Sequence, residues 1–127
     1  IRGPFSVNQI AADAGIIAVS DVEFQEKSLR HSQKWMDEMC RFFTGAGLSV
    51  VPSATNFILI GFDGYNGPTA SETARYLASK NILFREMAPY GLDQYLRMSI
   101  GTDEEMQIVK QTLSDFFAGA QKSGTLK

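Results

Sequence analysis

The stretch Phe57-Ile58-Leu59-Ile60 constrains this fold more than any other part of the chain. It lies in a near-continuous apolar run from Asn56 to Phe62. Pro52-Ser53 bounds the run on one side, and the turn cluster Asp63-Gly64-Tyr65-Asn66-Gly67-Pro68 bounds it on the other. A run this short between turn residues predicts a central strand covered on both faces. Such a strand needs partners, and the sequence offers three: a short one over Leu48–Val51, one over Ile82–Met87 and one over Tyr95–Ile100. Pro89-Tyr90-Gly91-Leu92 joins the last two and predicts a tight return.

Four helical segments surround these strands, and each opens on the same local signal. Ser6-Val7-Asn8-Gln9, Ser20-Asp21-Val22-Glu23, Thr69-Ala70-Ser71-Glu72 and Thr102-Asp103-Glu104-Glu105 all match the capping box. In that motif a Ser or Thr oxygen accepts from the N3 amide, and the N3 Glu or Gln reaches back.

The first helix is expected over Val7–Val19, with Val7, Ile10, Ala11, Ala14, Ile17 and Ala18 on one face. That face should stay unusually exposed or be covered by self-association. The second, Asp21–Thr44, carries Val22, Leu29, Met36 and Phe43 every seven residues, widened by Met39 and Cys40, and ends at Gly45 and Gly47. The third, Thr69–Lys80, is followed by Asn81 as its C-cap. The fourth, Asp103–Ala118, presents Met106, Val109, Leu113, Phe116 and Phe117, and the tail Gln121–Lys127 is expected to fray. The order α-α-β-β-α-β-β-α predicts an α+β, two-layer sandwich: a small, mainly antiparallel sheet with helices on one face. Strand order stays open.

At 127 residues the chain fits one domain, and its net charge of -2 argues against a nucleic-acid partner. No segment reaches the apolar length of a membrane span. The start, Ile1-Arg2-Gly3-Pro4-Phe5, reads as the interior of a longer protein. Cys40 is the only cysteine and His31 the only histidine, so an intrachain disulfide and paired-His metal motifs are ruled out. A lone thiol fits a reducing cytoplasm.

Candidate chemistry concentrates in Tyr95-Leu96-Arg97-Met98-Ser99-Ile100. Strand alternation puts Leu96, Met98 and Ile100 on one face and Arg97 on the other. Arg85 likewise stands among apolar neighbours in Ile82–Met87. A guanidinium on a rigid strand offers a planar fork suited to a carboxylate or phosphate. On the residues alone a second reading stays open, in which both arginines pair with protein carboxylates or reach water. The other candidates are weaker. Asp103, Glu104 and Glu105 fill a helix first turn, where the macrodipole favours acids. Asp13 and Asp21 read as helix-surface or helix-start acids, and Gly61, Gly64 and Gly67 lack phosphate-loop spacing. His31 reads as solvent-facing, and no Ser/His/Asp set can be assembled. The chain therefore reads as a binding element that is not a catalyst by itself, with a stand-alone anion-binding regulatory module as the competing class.

Several motifs stand in one order and spacing: Arg2-Gly3-Pro4-Phe5-Ser6-Val7-Asn8, Ser53-Ala54-Thr55-Asn56-Phe57, Phe84-Arg85, Tyr90-Gly91-Leu92 and Leu96-Arg97-Met98-Ser99-Ile100-Gly101-Thr102. Together they resemble the C-terminal part of the class I/II (fold type I) pyridoxal-phosphate aminotransferases, most of all the histidinol-phosphate aminotransferases. The likeness spans nearly the whole chain. It implies that Arg97 grips the α-carboxylate of a small anionic amino-acid substrate and that Arg85 lies at the substrate's phosphate end, with Tyr90 a neighbour in that pocket.

The resemblance further implies that residues 1–20, with the helix at 7–19, are the tail of a missing N-terminal large domain, and that 21–127 form the small domain. The implied whole is a cytoplasmic homodimer that uses pyridoxal 5'-phosphate to exchange an amino group between histidinol phosphate and 2-oxoglutarate in histidine biosynthesis. An aromatic-amino-acid or threonine-phosphate-directed relative is the alternative within the class. Where the family usually carries Asn, this chain has Ser6, and either residue caps a helix. None of Lys27, Lys34, Lys80, Lys110, Lys122 or Lys127 stands in the family's setting for the cofactor lysine. The resemblance thus implies no covalent cofactor attachment to this chain, no catalytic residue in it and no activity for it alone.

Overall fold

The computed structural model describes residues 7–51 and 53–124, with side chains through residue 120. The chain divides into two compact units, residues 1–33 and 34–127. In the first, helix α1 spans Gln9–Ser20, starting two residues later than the expected Val7 and ending one after Val19. Asn8 caps it by accepting from the Ala11 amide at 2.8 Å. The cap expected at Ser6 falls outside the described residues, and the capping function sits on Asn8 instead.

Helix α2, Val22–Gly45, begins in this unit and ends in the next. Its cap is Asp21, whose Oδ1 accepts from the Phe24 amide at 3.0 Å, whereas the expected cap Ser20 donates back to the Ile16 carbonyl. A carboxylate one residue on out-competes the hydroxyl, which finds an acceptor inside α1. The Gln25 side chain then closes the corner by donating to the carbonyls of Ala18 and Val19. No residue of α1 is buried, and Ile10 and Ile17 are 82% and 72% exposed. This is the exposed apolar face anticipated for that helix.

In the second unit, strands β1 (Ser49–Val51), β2 (Phe57–Gly61), β3 (Arg85–Glu86) and β4 (Tyr95–Ser99) form one sheet in the order β1-β2-β4-β3, every pair antiparallel. The helices of this unit are the C-terminal part of α2, α3 (Ala70–Ser79) and α4 (Asp103–Gly124). Ile58, Ile60, Leu96 and Met98 are buried on one sheet face. They join Trp35, Met39 and Phe43 of α2, Leu77 of α3, and Met106, Leu113 and Phe117 of α4 in a single core. Phe57, Leu59, Tyr95 and Arg97 alternate onto the other face and are only half-buried. The apolar run is therefore a central strand, as expected, but it is fully covered on one face only.

The stripe expected on α2 holds over its second half, where Met39 and Phe43 are buried and Met36 and Cys40 pack against the core, and not over its first. Trp35, Met39 and Phe43, four apart, are buried, while Val22 and Leu29 are exposed. Spacing by four keeps a helix face aimed at one sheet, as a sevenfold repeat would at a partner helix. The end of α2 is a Schellman motif: the Leu48 amide reaches the Phe43 carbonyl and the Gly47 amide that of Thr44, both at 3.0 Å. Gly47 supplies the left-handed backbone, with φ of 89°. Asn81, at φ 60°, ends α3 in the same way, with its own amide on Ala78 and the Ile82 amide on Leu77.

Capping boxes form at both remaining helix starts. Thr69 and Glu72 bond reciprocally, and the Thr69 amide and then its hydroxyl hold the Glu72 carboxyl below the usual glutamate range. Thr102 and Glu105 do the same at α4. Helix α4 continues to Gly124, past the expected end at Ala118. The strand expected over Ile82–Met87 contracts to Arg85–Glu86. The Asn81 turn consumes its start, and Met87 enters a 3-10 turn over Ala88–Tyr90 that contains Pro89.

Gly61 stands between Ser49 and Tyr95 across three strands. A Cβ there would lie 2.3 Å from Ser49 Oγ and 2.9 Å from Tyr95 Cε1. The hydroxyl can rotate away, but the ring must shift. Gly61→Ala is expected to cost about 1–3 kcal/mol, as overpacking does. A lowered urea midpoint at unchanged slope would register it.

Candidate functional site

Antiparallel register builds the site. Val51 pairs with Leu59, Leu59 with Arg97 and Arg97 with Arg85, so one row of side chains crosses all four strands. The two arginines predicted from sequence are thus direct cross-strand partners at the β3 edge. Like charges directly opposite one another disfavour strand pairing, so stability does not explain this arrangement. Among the described residues neither guanidinium forms an ion pair.

Each is held against an aromatic ring instead. The Arg97 Cζ lies 4.7 Å from the Phe57 ring centroid, a geometry worth about 0.5–2 kcal/mol. The Arg85 Cζ lies 5.3 Å from that of Tyr90, and its Nη2 donates to the Tyr90 hydroxyl at 2.5 Å. Arg97 Nε is buried without an acceptor. An unsatisfied buried donor costs about 1–3 kcal/mol, and it marks a place where an anion's oxygen would be stabilising.

Both arginines line a cleft of about 500 Å³. Ile82, Phe84, Met106 and Val109 also contribute to it, so the cleft wraps the β3 edge towards α4. Tyr90 is joined to the pair through Arg85 and does not line the cleft. Lys80 does line it, with its Nζ 5.8 Å from the Tyr76 ring centroid.

The acids set aside in the sequence have structural work. Asp103 Oδ1 accepts from Trp35 Nε1 at 2.6 Å and from Lys34 Nζ at 2.8 Å, tying α4 to α2. Glu105 accepts from the Thr102 amide. Lys110 bridges to Glu38 at 2.8 Å. His31 is half-buried and not solvent-facing as the sequence suggested. Burial raises the Cys40 thiol above its ordinary pKa. Among the described residues no cluster of His, Cys, Asp or Glu could hold a metal ion, and no helix is long and apolar enough to cross a membrane.

The contact between Phe57 and Arg97 has no signal in the sequence. The Phe57 ring reaches Arg97 only because β2 and β4 are neighbours in this register, which no spacing in the sequence encodes.

Comparison with known proteins gives this two-layer α+β fold its class. The model of the aminotransferase class I and II family matches residues 1–113, and the chain belongs to that family. Its fold is that of the aminotransferase small domain. It is 42% identical over 118 residues to the histidinol-phosphate aminotransferase of Nitrobacter hamburgensis, covering 93% of this chain and 32% of that protein. The chain thus spans about a third of the length of the curated relatives it matches.

Two crystal structures share the fold. The histidinol-phosphate aminotransferase of Clostridium acetobutylicum matches with a TM-score of 0.78 at 20% identity, over 93% of this chain and 36% of its own. That of Sinorhizobium meliloti, in complex with pyridoxal-5'-phosphate, matches with a TM-score of 0.71 at 25% identity, over 94% and 32%.

Proposed function

We propose that the chain is the C-terminal, substrate-gripping part of a pyridoxal-phosphate-dependent aminotransferase that exchanges an amino group between histidinol phosphate and 2-oxoglutarate in histidine biosynthesis. In this reading residues 1–20 end a large domain outside this chain and 21–127 form the small domain. The complete enzyme is a cytoplasmic homodimer, and the chain alone is inactive. The observation that carries the reading is the arginine pair: two cations in direct register on an open face, each against an aromatic ring and neither in an ion pair among the described residues. The 42% identity to a histidinol-phosphate aminotransferase supports the choice of substrate.

Arg97 then takes the carboxylate of 2-oxoglutarate through parallel, charge-assisted hydrogen bonds. Arg85, more exposed and steered by Tyr90, takes the phosphate end. Histidinol phosphate has no carboxylate, so in our reading its phosphate meets both arginines, and holding it there removes unproductive poses of the reacting carbon beside it. The residues around this row do not by themselves form a seat for the cofactor. Lys34 is bonded to Asp103 and Lys110 to Glu38, and Lys80 lies by Tyr76. In our reading the part of the enzyme beyond this chain supplies the cofactor's lysine and phosphate site.

The test is Arg85→Ala in the full-length enzyme. KM for histidinol phosphate should rise roughly 30-fold or more, as loss of a charge-assisted pair does, while KM for 2-oxoglutarate changes only a few-fold. Equal losses with both substrates would count against the division of labour between the arginines.

A further inference from the structure

We infer that Phe57 is the positioning residue for Arg97, its ring face orienting the guanidinium without consuming any of its donors. The inference rests on the reading of Arg97 as the carboxylate-binding group.

Arg97 pairs with Leu59, and Phe57 pairs with Ser99, two residues further along β4. Phe57 and Arg97 are therefore diagonal neighbours on the open face, within the reach that a ring and a long side chain can span. The Cζ stands 4.7 Å from the ring centroid, and both residues are half-buried. Phe57 is itself held at the start of β2 by the ladder to β4, where the next bond, Ile100 amide to Asn56 carbonyl, is 2.8 Å.

An unrestrained arginine has four flexible torsions, and ordering them on binding weakens affinity. A protein carboxylate could order it, but would also neutralise the charge and occupy the fork. A ring attracts the cation through its quadrupole and leaves the N–H groups available. Arg97 has this second kind of support and no carboxylate partner among the described residues. Arg85 differs, since one Nη2 donor is spent on the Tyr90 hydroxyl. The ring beneath Arg97 thus keeps a preorganised, unspent fork for the incoming carboxylate.

The experiment is steady-state kinetics of the full-length enzyme carrying this segment, with 2-oxoglutarate as the carboxylate probe. Phe57→Leu is expected to raise KM about tenfold with kcat within about twofold, the size of a partly desolvated cation–π contact. Phe57→Trp should restore it. In an Arg97→Ala background Phe57→Leu should add nothing, because its effect passes through Arg97. Should Phe57→Leu fail to fold, 3,4,5-trifluorophenylalanine at position 57 keeps the ring's shape and removes its negative face, and KM should still rise. An unchanged KM with the fluorinated ring, or full additivity with Arg97→Ala, would overturn the seat while leaving the carboxylate role intact. An unchanged KM for Arg97→Ala alone would instead remove the reading on which it rests.

Discussion

Arg97→Ala in the full-length enzyme is expected to raise KM for both amino donor and amino acceptor by roughly 30- to 1000-fold. Removing one partner of a buried, hydrogen-bonded charge pair costs about 2–4 kcal/mol, and each 1.4 kcal/mol is tenfold. Both substrates should suffer because each presents an anion beside the reacting carbon, the phosphate of histidinol phosphate or a carboxylate of 2-oxoglutarate, whereas Arg85 is reserved in our reading for the phosphate. Arg97→Lys should recover only part of the loss. An ammonium keeps the charge, but it lacks the planar fork and the face that lies against Phe57. The same kinetics measured with both substrates decide it, and unchanged values would refute the assignment.

Phe43→Ala should remove a large share of the stability of the 127-residue chain. Phe43 is 1% exposed in the core, meets Phe42 edge-on at 5.3 Å, and its carbonyl accepts the Leu48 amide that closes α2. Truncating a buried phenylalanine costs about 3–5 kcal/mol, against a typical total stability of about 5–15 kcal/mol for a domain. Urea unfolding followed by far-ultraviolet circular dichroism would show the midpoint collapse. A shift of only a few tenths of a kcal/mol would mean that the α2 end is not integral to this core.

Much of this architecture is legible in the sequence, and particular residues show why. Thr69-Glu72 and Thr102-Glu105 announce helix starts because a capping box closes within four residues and needs nothing from elsewhere. Met106, Val109, Leu113 and Phe117 are buried as their spacing demands. The element order followed from such local signals. Ser20 misled because Asp21 offered a competing oxygen close by, and local chemistry does not rank near-equal caps. The stripe on α2 was right from Met36 to Phe43 and failed at Val22 and Leu29, and Trp35 joined it, because only packing reveals which turns of a long helix are covered.

The site divides along the same line. Alternation along β4 was sufficient to send Arg97 away from Leu96 and Met98, and a guanidinium's preference for oxyanions is a property of the residue itself. Placing Arg85 opposite Arg97, and Phe57 beneath it, required the order β1-β2-β4-β3 and its register. Those pairings join residues far apart in the chain, and their free energy comes from burying Ile58, Ile60, Leu96 and Met98 together under three helices. Helix starts, strand faces and the charge of the fork are determined within a few residues of one another. Which fork meets which ring is determined by the closing of the core, and so belongs to the tertiary structure alone.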